Sequence, residues 1–191
     1  MRLFFAVFPP RPVQRELAAA QAALRGNWKP VREDQIHLTL GFLGEVPEPE
    51  LARVRAAGRA AAQAAPPFRA RVRGTGFFPN EGRPRVWFAR AEGEGFEPLA
   101  LALREALPER LDDERGFKAH LTLARRKGPA PRVAPVVFDL EFPVEAFVLV
   151  ESRLTPKGPT YTILDTFSLK ERDERGKQRT AKGAGEHPQA D

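Results

Sequence analysis

The tetrapeptide His37-Leu38-Thr39-Leu40 returns letter for letter as His120-Leu121-Thr122-Leu123, in a chain of 191 residues that has only three histidines. At a match probability of roughly 0.07 per position, three histidine pairs agree over the next three positions in about one sequence in a thousand. The repeat is therefore signal. Alternate side chains of a β-strand share a face, so each copy sends two leucines one way and a histidine and a threonine the other. Leucine suits a core; imidazole and hydroxyl are then free to line a groove.

Outward from the first copy, residues 34–46 read as one strand, ended by Gly44 and the prolines Pro47 and Pro49. The segment 2–9 reads as a buried strand closed by Pro9 and Pro10, and 12–26 as a helix with Pro12 in its first turn and Gly26 at its end. A second helix is expected over 47–65, with apolar Leu51, Val54 and Ala57 on one side. Residues 67–79 alternate apolar and basic side chains, the period of a half-buried strand. The turn Asn80-Glu81-Gly82-Arg83-Pro84 links them to 85–92 as a hairpin.

A third helix over 95–111 leads to the strand 116–126 with the second copy, and three further strands are expected over 135–143, 144–155 and 160–169. This is roughly eight strands and three helices, an α+β class. Each copy follows a strand-and-helix unit, so two pseudo-symmetric lobes are expected, with antiparallel sheets lining a central groove and helices packed outside. Residues 1–169 read as one bilobal domain. From Lys170 onward the side chains are charged with almost nothing to bury, so 170–191 reads as a disordered tail, and His187 within it as idle.

Composition narrows the chemistry. The absence of cysteine removes disulfides, thiolate metal sites and cysteine nucleophiles. Two histidines without a third ligand at suitable spacing fall short of a zinc site, and neither a G-x-S-x-G elbow nor a glycine-rich phosphate loop is present. A net charge of +6 favours an anionic partner, nucleic acid first. No apolar run approaches the length of a membrane span. The opening MRLFFAVFPP ends in prolines rather than a cleavage site, which predicts a strand and a cytoplasmic protein.

Paired histidines suit phosphorus. In-line displacement needs one group to take a proton from attacking water and another to give one to the departing oxygen, and imidazole serves both roles near neutrality. Threonine hydroxyls can donate to the non-bridging oxygens. Strict alternation favours Arg126 over Arg125 as the accompanying cation, although a long arginine near a strand end can curl back. Pattern alone leaves that choice open.

The paired H-x-T-x motifs, with MRLFFAVFPP, HLTLGFLGEV, FKAHLTLARR and ESRLTPKGPTYTIL around them, resemble the two-histidine phosphoesterase superfamily. The match is best to its bacterial and archaeal RNA 2′,3′-cyclic phosphodiesterases, historically called 2′-5′ RNA ligases. The resemblance covers residues 1 to about 169. It implies a bilobal fold and hydrolysis of an RNA-terminal 2′,3′-cyclic phosphate to a 2′-phosphomonoester, with no metal and no cofactor.

The same resemblance implies that His37 protonates the leaving 3′ oxygen, that His120 activates water, and that Thr39 and Thr122 bind phosphate. It places an arginine five residues after the second histidine, which is Arg125. Phe42, Tyr161 and Trp87 are candidates for stacking on a base, and Arg153 for the groove, each with a structural reading beside it. The implied partner is RNA with a cyclic phosphate end, such as a tRNA fragment, met by a monomer without a membrane. The alternatives are the reverse reaction, 2′-5′ ligation, and a non-catalytic module that binds RNA ends.

Overall fold

Alternating burial sets the strands and their register. The computed structural model describes residues 1–111 and 116–170. Their order is β1 (Arg2–Val7), α1 (Arg11–Ala19), β2 (Trp28–Pro30), β3 (Leu38–Glu45), α2 (Leu51–Ala61), β4 (Phe68–Phe78), β5 (Val86–Glu92), α3 (Phe96–Ala106), β6 (His120–Arg126), β7 (Val137–Val144), β8 (Ala146–Thr155) and β9 (Gly158–Ser168). Of the expected tail, only Lys170 lies within the described residues.

All pairings are antiparallel, in one sheet ordered β7-β4-β5-β6-β3-β1-β8-β9, with β2 on the edge of β6. The sheet has two halves that run outward from the middle, β3-β1-β8-β9 and β6-β5-β4-β7. Each half has an HLTL segment at its inner strand, and they meet where Leu38 pairs with Leu121. The expected α+β class and two related lobes hold. The lobes share one continuous sheet.

The leucine half of the repeat explains this register. Leu38, Leu40, Leu121 and Leu123 are all buried in the core that also takes Val13 and Leu17 of α1, Val54 and Ala61 of α2, and Leu99 and Leu103 of α3. Full burial of a leucine contributes about 1.5–3 kcal/mol, and a one-residue slip would turn all of them outward. The other face is thereby committed to His37, Thr39, His120 and Thr122, which are half-buried.

The helices are shorter than the sequence pattern suggests. α1 gives way at Ala20–Ala23 to a tight 3-10 turn, and Glu48–Glu50 forms another before α2. Alanine-rich ends have helical propensity, but packing of an apolar face holds short helices, and in α1 only Val13, Gln14 and Leu17 are buried. His37 also differs from expectation, since it stands immediately before β3, after a 3-10 turn at Glu33–Gln35.

Candidate active site in a cationic groove

Antiparallel pairing of Leu38 with Leu121, continued one residue each way, sets His37 opposite Thr122 and Thr39 opposite His120. Two histidines and two threonines thus meet at the pseudo-twofold centre. All four line a groove of about 760 Å³ on the sheet face away from the helices.

Strict alternation stops directly after each threonine. Against β1, Ala6 pairs with Thr39 but Phe5 with Gly41, which leaves Leu40 as an extra residue. Against β5, Phe88 pairs with Thr122 but Trp87 with Ala124, which leaves Leu123 extra. A bulge of this kind re-aims the side chains that follow. Consecutive Leu123 and Ala124 are buried and Arg125 turns into the groove, while Arg126 donates from Nε to the Gly128 carbonyl at 3.1 Å. The parity argument for Arg126 is therefore corrected, and Arg125 stands where the resemblance places it.

The same bulge in the first copy brings Phe42 into the groove. It is 49% exposed, with the Arg2 guanidinium 5.0 Å from its ring centre. The core-packing reading of Phe42 is overturned. Phe42 and Arg125 each stand five residues after a histidine, so the matched position is aromatic in one half and cationic in the other.

Each imidazole is held in the same way. His37 Nδ1 lies 2.7 Å from the Gln35 carbonyl, and His120 Nδ1 lies 2.7 Å from the Lys118 carbonyl, two residues upstream in both cases. A carbonyl only accepts, so Nδ1 carries the hydrogen in both rings and Nε2 is left to exchange protons. His37 Nε2 is 3.1 Å from Thr39 Oγ1, which donates to it when the ring is neutral.

Aromatic walls fix the ring planes. Phe4 stacks on His37 at 4.9 Å, with Phe8 and the edge of Tyr161 nearby, and Phe78 and Phe88 pack edge-on against His120. Gln35 also sends Nε2 to the Pro159 carbonyl at 2.6 Å, which joins the approach to His37 to the start of β9.

Burial among these rings disfavours the charged imidazoles and pushes His37 down to about 4. Hydrogen bonding to Gln35 opposes this, while the charges of Arg125 and His120 add to it. His120 is also lowered, by burial first and then by Arg125. Burial raises the Tyr161 phenol, against Arg125 and Arg2. Arg125 thus acts on both histidines and on Tyr161.

Six cations line the groove, Arg2, Lys29, Arg32, Arg125, Lys127 and Lys157, and among the described residues no carboxylate does. Of the other candidates, Tyr161 lines the groove, whereas Trp87 is fully buried in the core. Arg153 lies outside the groove, its Nε 2.5 Å from Glu151 Oε1. Sequence reading missed Arg2, Lys29, Arg32, Lys127 and Lys157. Nothing local separates them from the other basic residues, because they converge only through sheet topology. No cluster of three or more histidines or acids able to hold a metal occurs among the described residues, nor does any helix long and apolar enough to cross a membrane.

The model of the LigT-like phosphoesterase family matches residues 7–88. The chain is 55% identical, over the full length of both sequences, to the RNA 2′,3′-cyclic phosphodiesterase of Thermus thermophilus. A crystal structure from Thermus thermophilus superposes with a TM-score of 0.85 at 55% identity, covering 90% of this chain and all of that one. Escherichia coli LigT complexed with 3′-AMP superposes with a TM-score of 0.77 at 28% identity, covering 89% of this chain and 98% of that one. With its fold, its repeated motif and a relative that spans its whole length, the chain belongs to the LigT-like phosphoesterase family.

Proposed function

We propose that this enzyme hydrolyses the 2′,3′-cyclic phosphate at an RNA end to a 2′-phosphomonoester, with His37 and His120 as an acid/base pair that needs no metal. One observation carries the reading. Two imidazoles from distant segments, each with Nδ1–H tied to a carbonyl two residues upstream, meet in a groove lined, among the described residues, by cations and no carboxylates. The naming of the Thermus relative agrees with it.

In the proposed reaction neutral His120 takes a proton at Nε2 from water, whose oxygen attacks phosphorus. The bond from phosphorus to the 3′ oxygen breaks in line, and His37 gives that oxygen its Nε2 proton. Thr39 and Thr122 donate to the non-bridging oxygens, and Arg125 holds the charge that builds there. Thr39 gives up its bond to His37 Nε2 when it turns to the phosphate.

Burial lowers both imidazoles and takes His37, the proposed acid, to about 4. A bound phosphate anion offsets Arg125 and favours the charged imidazole. The substrate thereby shifts the acid toward its charged form, against the burial that lowers it. The same proposal takes the enzyme as a monomer acting in the cytoplasm on RNA ends such as those of cleaved tRNA.

The test is an RNA of known sequence ending in a 2′,3′-cyclic phosphate, incubated with the enzyme and excess chelator, with the product resolved by phosphorus NMR. The expected product is the 2′-monoester, formed at a rate the chelator does not change. A 3′-monoester, or loss of turnover in chelator, would contradict the proposal.

A further inference from the structure

We propose that Lys29 and Lys127 form a subsite for the phosphodiester that precedes the reacting end, so that the groove selects an RNA strand over a free mononucleotide. This rests on the hydrolase reading above. The two halves of the sheet match strand for strand except for β2, which has no counterpart among the described residues. β2 lies on the same edge of β6 as β3 and sets Lys29 opposite Arg125. Neighbouring strands lie about 5 Å apart, and residues two apart on one face are separated by about 6–7 Å. Lys29 and Lys127 thus flank Arg125, one across the ladder and one along the chain.

The backbone that presents them is firmly anchored. Trp28 is buried and its Nε1 donates to the Pro131 carbonyl at 2.9 Å. Gln21 Nε2 donates to the Val31 carbonyl at 2.8 Å and the Leu123 carbonyl at 2.9 Å, and the Lys127 amide donates to the Asn27 carbonyl at 2.7 Å. A three-residue strand has few ladder bonds of its own, so these contacts fix where Lys29 stands.

Charge accounting leaves Lys29, Lys127 and Lys157, and Lys157 stands at the turn between β8 and β9 rather than beside Arg125. Arg32 is paired with Asp34 at 3.2 Å, and Arg2 lies over the Phe42 ring. Lys29 and Lys127 are exposed groove residues with no ion pair among the described residues. The line Thr122, Arg125, Lys127 runs outward from the reaction centre for roughly 13–16 Å along the strand. One terminal phosphate does not span that distance. An RNA strand continues past its reacting end and presents a further phosphate there, which a mononucleotide lacks.

The test compares kcat/KM on a nucleoside 2′,3′-cyclic monophosphate with that on a short oligoribonucleotide having the same terminal base and cyclic end. In the double variant Lys29→Ala with Lys127→Ala, the preference for the oligomer is expected to fall at least tenfold. The dependence of log(kcat/KM) on log salt for the oligomer is expected to become shallower by roughly 1.4, about 0.7 for each lost contact to a single strand. The double variant Lys29→Arg with Lys127→Arg, which keeps both charges, is expected to retain the preference.

Binding reads the subsite without turnover, by anisotropy titration of the same oligomer ending in a 2′-phosphate against competing mononucleotide. Equal weakening of both ligands, or of neither, overturns the subsite. A wild-type enzyme that binds the oligomer through these lysines yet hydrolyses neither substrate overturns the hydrolase reading and leaves the subsite standing.

Discussion

Burial lowers both histidines first, and Arg125 is the cation that acts on the two together. Burial and this neighbouring charge lower the two imidazoles from 6.5, His37 to about 4. The proposed reaction needs one ring charged and one neutral, so on that proposal the free enzyme is competent only while one proton is shared by the pair. As pH rises through the upper of the two values that proton leaves. The bell of kcat/KM, which reports the free enzyme, is therefore expected to have its basic limb below pH 6.5. The limb of kcat, which reports the phosphate-bound enzyme, is expected at higher pH. Replacing the cation in Arg125→Gln removes its repulsion, so the kcat/KM bell should move to higher pH while its height falls. A basic limb at or above 6.5 in the wild type, or a downward move in the variant, would contradict the assignment.

Among the elements, the strands that carry the repeat show what the chain makes legible and what it conceals. The alternation of leucine with histidine and threonine is visible in eight residues, and it placed two strands and one groove face correctly. The bulges after Thr39 and Thr122 are invisible to a two-residue period, which is why parity misjudged Arg126 and Phe42. A faint trace does exist. Each bulge is followed by a small residue, Gly41 or Ala124, against which the core closes; a Cβ at Gly41 would lie 3.0 Å from Leu111 Cδ2.

β2 escaped notice for another reason. Three residues that include Pro30 carry no readable period, and only their tertiary partners make them a strand. α2 illustrates packing that overrides propensity. A Cβ on Gly58 would meet Phe167 Cζ at 2.4 Å, and that ring is wedged between Phe5 and Phe147. Gly58→Ala gains about 1 kcal/mol of helix propensity, but overpacking costs typically 1–3 kcal/mol. A lower urea midpoint with unchanged m-value is expected, and a higher midpoint would contradict this packing.

At the scale of the whole molecule, folding brings together segments 83 residues apart by duplicating one arrangement about a central strand pair. Symmetry supplies two equivalent histidines; the chemistry then needs them to differ. Phe42 at the position that Arg125 holds in the other half and, among the described residues, Tyr161 beside His37 only and β2 on one half only break the equivalence. The composition made an anionic partner legible, but the assembly of six cations around the pair depended on the order of strands in the sheet.

The central claim is that the two imidazoles have opposite proton-transfer roles. Turnover by His37→Asn and His120→Asn, on the cyclic phosphate and on an analogue whose 3′ leaving atom is sulfur, tests it most directly. With oxygen, each variant is expected to lose about 10²–10⁴ in rate. Sulfur departs without a proton, so it should restore His37→Asn alone. Restoration of His120→Asn instead, or near-full activity of either variant on the ordinary substrate, would contradict the account.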